Sequence, residues 1–378
     1  MLAITSGSVL TPQGFTNMTV EIAGGVIAEA PHGARTIDAT GLMVLPGLVD
    51  IHGDAFERQI MPRPGVAFDL HIALADTDRQ LVANGITTAC HGVTSSWEPG
   101  LRGIETARAL VQAIANLRGK TSCDMRFHLR HEIFNLDSVD ETLGWIADGM
   151  VDALAFNDHM RGIVLGQTIK ASKLKTMVER SGLSEPDFMA VVERILAQEH
   201  EIAASLERLA ACAKAHGVPL LSHDDRHLAD RAASRTLGCA ISEFPMSADV
   251  ARDAIGAGEM TVFGSPNVLR GGSHIGCPSA SDMAAQGLCS ILSSDYYYPA
   301  MLAAPFRLAA ETGLSLAQAW RLVSTHPAIA LGLKDRGEIT RGLRADLLLV
   351  EETPEGPRLV ATICRGEIAW MADWRRLA

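Results

Sequence analysis

The sequence predicts an α/β protein, a (β/α)8 TIM-type barrel with a small β-sandwich domain formed by both termini. Three observations predict it. Short β-branched or apolar runs alternate with longer helix-period segments, the mark of a parallel sheet covered by helices. Eight such runs lie between residues 43 and 295, the number that closes a barrel. Both chain ends read instead as short strands broken by turn residues.

The first 40 residues carry the turn-rich strings SGSVLTPQG and EIAGGVIAEA. The barrel runs follow in order: MVLPGLVDIH, GITTACHG, MRFHLRHE, VDALAFND, GVPLLSH, CAISEF, MTVFGSP and CSILSSD. Between them, Glu105 to Leu117 and the long stretch from Glu185 to His216 are rich in Glu and Ala, with apolar residues at three-to-four spacing. A further helix, 299–312, follows the last run. The end of the chain, GEITRGLRADLLLVEETPEGPRLVATICRGEIAW, returns to short strands. This places residues 1–45 and 326–378 in the β-rich domain and 46–325 in the barrel.

Composition narrows the function. A chain of 378 residues with 47% hydrophobic and 20% charged content can bury one large core. The formal net charge of -11 argues against nucleic-acid or anionic-membrane partners, which need a basic footprint. A small anionic substrate stays open, because arginines or a metal can set the field inside a pocket. No segment has the roughly 20 uninterrupted apolar residues of a membrane span, and no secretory leader is visible. The seven scattered cysteines lack CxxC spacing. The expectation is a soluble, cytoplasmic protein with reduced cysteines and an open oligomeric state.

Functional side chains of such a barrel sit where its strands end. Run one ends in His52 and Asp54, run three in Glu132, run five in His223 and run eight in Asp295, and His159 follows run four. These are ligand types for a divalent transition metal. A lone histidine is more often a packed core or loop residue, and His71, His91, His128, His200, His216 and His326 are assigned that role. Five of eight strand ends bearing ligand types is different, because buried unpaired charges are costly. His52 and Asp54, two apart on a strand, point to the same side. Glu132 has two oxygens with which to bridge a second ion. Arg63, Arg130, Arg270, His274 and Tyr296 are candidates for an anionic substrate; Arg270 and His274 share the glycine-bearing string NVLRGGSH.

The layout resembles the amidohydrolase superfamily in LPGLVDIHGD, the strand-end Glu and His residues, Asp295 and the return motif GEITRGLRADLLLV. Within it, the chain is similar to the α-D-ribose 1-methylphosphonate 5-triphosphate diphosphatase family of the carbon–phosphorus lyase pathway. MPRPG, HLRHE, NDH, LLSHDD, EFP, SPNVLRGGSH and LSSDYYYP carry that similarity, in this order. The resemblance implies release of diphosphate from the 5-triphosphate of a ribose methylphosphonate. The strand-end ligands lead to the expectation of one or two divalent ions, zinc first, with manganese or iron as alternatives, held by His52, Asp54, Glu132, His159, His223 and Asp295, with Asp295 taking a proton from water. An amide or cyclic-amide hydrolase or a deaminase of the same superfamily is the alternative. Two departures stand out: Asp54 replaces the second histidine of the first motif, and Glu132, His159 and His223 fall one strand earlier than the commonest pattern.

Overall fold

The computed structural model describes residues 1–29, 33–63, 65–160, 171–273 and 276–378. All eight predicted runs are strands of one parallel sheet, here β6 to β13: Leu48–Gly53, Ile86–Ser95, Asp124–Glu132, Ala153–Asn157, Leu220–His223, Ile241–Glu243, Met260–Gly264 and Ile291–Ser293. Neighbours pair in chain order from β6 to β13. The last strand meets the first through a parallel bridge between Gly53 and Asp295. Asp54 N donates to the Asp295 carbonyl (2.9 Å) and Asp295 N to that of His52 (3.0 Å), so the barrel's closure is built into its site residues. Beneath this seam the buried Asp50 carboxylate accepts from Ser294 N (3.0 Å) and Ser294 Oγ (2.5 Å).

The barrel interior is filled by inward residues of these strands, among them Val49, Ile51, Cys90, Ala153, Ala155, Leu221, Val262 and Ile291. Helices cover the outside. Ile104–Leu117 is the first helix read from the sequence, and Ala300–Glu311 matches the one expected at 299–312. The stretch from Glu185 to His216 divides into Glu185–Leu196 and Ile202–Ala215, separated by a 3-10 turn at Glu199–Glu201. Ser184 caps the first of these, accepting from Asp187 N.

Both chain ends meet in one mixed sheet. Its order is β16-β15-β14-β5-β1-β2-β3, with β4 also paired to β1. The strands are β1 Leu2–Thr11, β2 Gly14–Ala23, β3 Val26–Ile27, β4 Arg35–Asp38, β5 Met43–Pro46, β14 Leu347–Thr353, β15 Gly356–Cys364 and β16 Glu367–Met371. Period-two alternation divides their side chains between two cores. Leu347 and Leu349 join Ile4, Val20 and Val360 in a core internal to the sheet, while Leu348 and Val350 join Leu45, Trp320 and Leu322 against the barrel.

Charge reinforces the same junction. Asp124, at the foot of β8, meets Arg126 (3.0 Å), and also Arg336 (2.6 Å) and Arg344 (3.4 Å) from the segment leading into β14. Burial works to raise its pKa, but these arginines hold it at about 2, against an ordinary 3.8. A carboxylate depressed in this way stabilises the fold fully above its unfolded pKa and loses that contribution as pH falls through the folded one. At 1.36 kcal/mol per unit, about 2 kcal/mol should disappear between about pH 4 and about pH 2. Across that window the unfolding free energy of Asp124→Asn should fall by about 2 kcal/mol less than that of the wild type.

Candidate metal centre

Three residues just beyond strand ends adopt left-handed backbone: Asp224 (φ 58°), Phe244 (φ 53°) and Asp295 (φ 53°). Such conformations cost about 1–3 kcal/mol for side-chain-bearing residues and persist only when the surroundings impose them. Each is imposed by a hydrogen bond to the neighbouring strand. Asp224 N donates to the Glu243 carbonyl (2.9 Å), Phe244 N to that of Val262 (2.9 Å), and Asp295 N to that of His52 (3.0 Å). All three line the same cavity, of about 300 Å³, at the C-terminal end of the barrel.

Of the residues expected at the site, His52, Asp54, Arg130, His159, His223, Asp295 and Tyr296 line this cavity. The histidine rings gather closely, with His52 and His223 centroids 5.6 Å apart and His159 and His223 6.1 Å apart. Each ring is backed by its own carboxylate on Nδ1. His52 Nδ1 meets Glu243 Oε1 at 2.9 Å, His223 Nδ1 meets Asp224 Oδ2 at 3.2 Å, and His159 Nδ1 meets Glu132 Oε1. A neutral imidazole that donates from Nδ1 keeps its lone pair on Nε2, the arrangement found behind metal-binding histidines. Arg130 Nη2 lies 3.1 Å from His223 Nε2, which accepts from it, so that lone pair is turned toward the guanidinium at the cavity wall.

The electrostatics favour a cation. Asp295 is pushed up to about 7 by burial and then by the Asp54 charge, with Arg130 opposing and Asp50 and Asp224 adding repulsion. Such a carboxylate ionises readily once positive charge arrives. Burial, then Arg130 and His223, holds the His52 imidazole well below its ordinary 6.5, which keeps it in the neutral form that ligates. Burial opposes ionisation of Asp224, but His223 beside it keeps that carboxyl well below the usual range. His159, His223 and Asp224 offer donor atoms within 4.8 Å of one another, as do His52, His128 and Glu243. Three carboxylate-backed imidazoles with two further carboxylates therefore fit a divalent ion.

Other expected residues stand differently. Glu132 is buried at the end of the third barrel strand, with Oε1 against His159 Nδ1 and Oε2 accepting from His159 N (3.2 Å). As placed, it holds His159 and is not among the residues lining the cavity. Arg270 is exposed and donates to Tyr296 Oη (3.3 Å). Arg63 sits in an exposed turn bridged to Val66, away from the cavity lining. His274 lies outside the described residues. The early positions of Glu132, His159 and His223 belong to the chain itself, since they stand at the ends of or just after its third, fourth and fifth barrel strands.

Sequence reasoning counts Asp224 among the ligand types closing run five without carrying it into the site, and passes over Glu243 and Phe244. Glu243 closes the sixth run and met the strand-end criterion applied to the others. No sequence signal marks Phe244, whose ring stands edge-on to His52 (5.0 Å) and His223 (5.3 Å).

Comparison with known proteins agrees with this architecture. Residues 43–369 match the Amidohydrolase family. The α-D-ribose 1-methylphosphonate 5-triphosphate diphosphatase of Escherichia coli (strain K12) is 34% identical over 322 residues, covering 83% of this chain and 85% of that protein. A dihydroorotase of Streptococcus pneumoniae is 36% identical over 125 residues, 30% of this chain and 26% of that protein. Among solved structures, an amidohydrolase superposes with a TM-score of 0.66 at 16% identity, covering 98% of this chain and 99% of that one. Molinate hydrolase does so with 0.66 at 13%, covering 97% and 94%. With its eight-stranded barrel, its terminal sheet and a family match spanning residues 43–369, the chain belongs to the amidohydrolase family.

Proposed function

We propose that this protein is a divalent-metal-dependent hydrolase that releases diphosphate from α-D-ribose 1-methylphosphonate 5-triphosphate in phosphonate catabolism. The observation that carries the reading is the convergence of three carboxylate-backed histidines, Asp54, Asp295 and Arg130 on one cavity. The substrate is supported by the 34% identity to the Escherichia coli diphosphatase over most of both chains.

In this reading His52, Asp54, His159, His223 and Asp295 hold one or two ions, zinc first, with manganese or iron as alternatives. Glu132 orients His159 in place of the bridging role expected from sequence. A divalent ion there supplies positive charge that acidifies a coordinated water and offsets charge on phosphoryl oxygens. Asp295 receives the water's proton. Arg130, 4% exposed, donates to the phosphoryl oxygens that gain charge as diphosphate leaves. Tyr296, which lines the cavity, and Arg270, which donates to Tyr296 Oη, meet the outer phosphates. Phe244, Pro245 and Phe263 form an apolar wall that limits water around the reacting group.

The seven free cysteines fit a cytoplasmic setting. Among the described residues no helix is long and apolar enough to cross a membrane.

The test is diphosphate release from the ribose 1-methylphosphonate 5-triphosphate by metal-analysed protein, with and without chelator. Chelator-sensitive release is the expected result. A metal-loaded protein that releases none, but opens a cyclic amide, would move the assignment to the amide or cyclic-amide hydrolase alternative.

A further inference from the structure

Resting on the metal-centre reading, we infer that Glu243 is a positioning residue: it sets which nitrogen of His52 is presented for metal binding. Glu243 ends β11 and is completely buried. Its Oε1 accepts from His52 Nδ1 at 2.9 Å. A neutral imidazole has one N–H, so this contact leaves the lone pair on Nε2. Gly92 leaves room at that nitrogen, since a Cβ in its place would lie 3.3 Å away.

His128 Nδ1 donates to the Ile51 carbonyl at 3.1 Å, so its single N–H is spent there and its Nε2, 3.6 Å from the second oxygen of Glu243, makes no hydrogen bond to it. Ile51 precedes His52 on β6, so this bond fixes the His128 ring to the strand that carries His52. The His128 ring stands edge-on to His52 (5.2 Å, 86°), and the Phe244 ring does the same (5.0 Å, 86°). Rotation of His52 is thereby opposed by two ring edges, and its tautomer is selected by one carboxylate.

Glu243→Gln tests the inference. Glutamine still fills the site, but its amide oxygen is a weaker acceptor and can be turned away. Zinc affinity, measured by competition with a chromophoric chelator, should fall about 10–100-fold. The thermal midpoint of the metal-free protein should stay within a few degrees of wild type. Unchanged zinc affinity in the variant overturns the inference.

A second measurement needs no substitution at Glu243. The ring ¹⁵N shifts of metal-free wild-type protein, with the His52 signals identified by their loss in His52→Asn, should report the Nδ1–H tautomer. An Nε2–H tautomer overturns the inference even if the glutamine variant fails to fold. A wild-type protein that takes up no zinc would instead sink the metal-centre reading, while the tautomer would still decide the role of Glu243.

Discussion

Asp295→Asn is expected to lower turnover by about 10³-fold or more while the folded protein persists. Asparagine matches aspartate in size and is among the few residues that accept left-handed backbone, so the φ of 53° at this position remains accessible. The hydrogen bonds that hold position 295, from its N–H to the His52 carbonyl and from Asp54 N to its own carbonyl, are main-chain bonds and survive the change. What is lost is the carboxylate. An amide oxygen takes no proton, and general-base assistance contributes about 10² to 10⁴ in rate. The amide is also a poorer metal ligand, which adds to the loss. Steady-state diphosphate release alongside circular dichroism and metal analysis would check this. Near-normal turnover in the folded variant would remove Asp295 from the chemistry.

The largest expected effect on stability belongs to Arg231→Met. Arg231 is completely buried. Its Nη1 donates to Asp225 Oδ2 (3.1 Å) and Ser222 Oγ (2.6 Å), its Nη2 donates to the Cys239 carbonyl, and its Nε pairs with Glu259 Oε2 (3.1 Å). Asp225 also accepts from Ser222 Oγ (2.5 Å) and Ser242 Oγ (2.8 Å). Methionine fills much of the volume but leaves Asp225 as a buried charge without its cation. Breaking such a pair costs about 3–5 kcal/mol, which chemical denaturation can read. Because Asp225 directly follows Asp224 at the turn carrying His223, weakened metal retention should accompany the lost stability. Adding Asp225→Asn should recover part of it, since the two changes act on one network. A loss below about 1 kcal/mol would mean that Asp225 is stabilised by its hydroxyl partners alone.

The sequence by itself determined the barrel, its strand count and order, and the terminal sheet shared by both ends. Those features rest on local information. Runs such as GITTACHG and CSILSSD are continuous apolar strands because a parallel barrel buries both faces of its sheet. The rule that polar residues closing such strands gather at one end singled out His52, Asp54, Glu132, His159, His223 and Asp295, and all but Glu132 line one cavity.

Only the tertiary structure decided how those residues are used. That Glu132 turns both oxygens on His159, and that Glu243 backs His52 from 191 positions along the chain, depends on neighbours supplied by different strands. The same holds for Phe244 and Asp224, whose left-handed backbone is imposed by hydrogen bonds to the adjacent strand and has no local sequence cause. Residue type announces that a side chain can ligate or accept a proton. Which of its atoms faces the cavity is set by hydrogen-bond partners that come together only when the barrel closes.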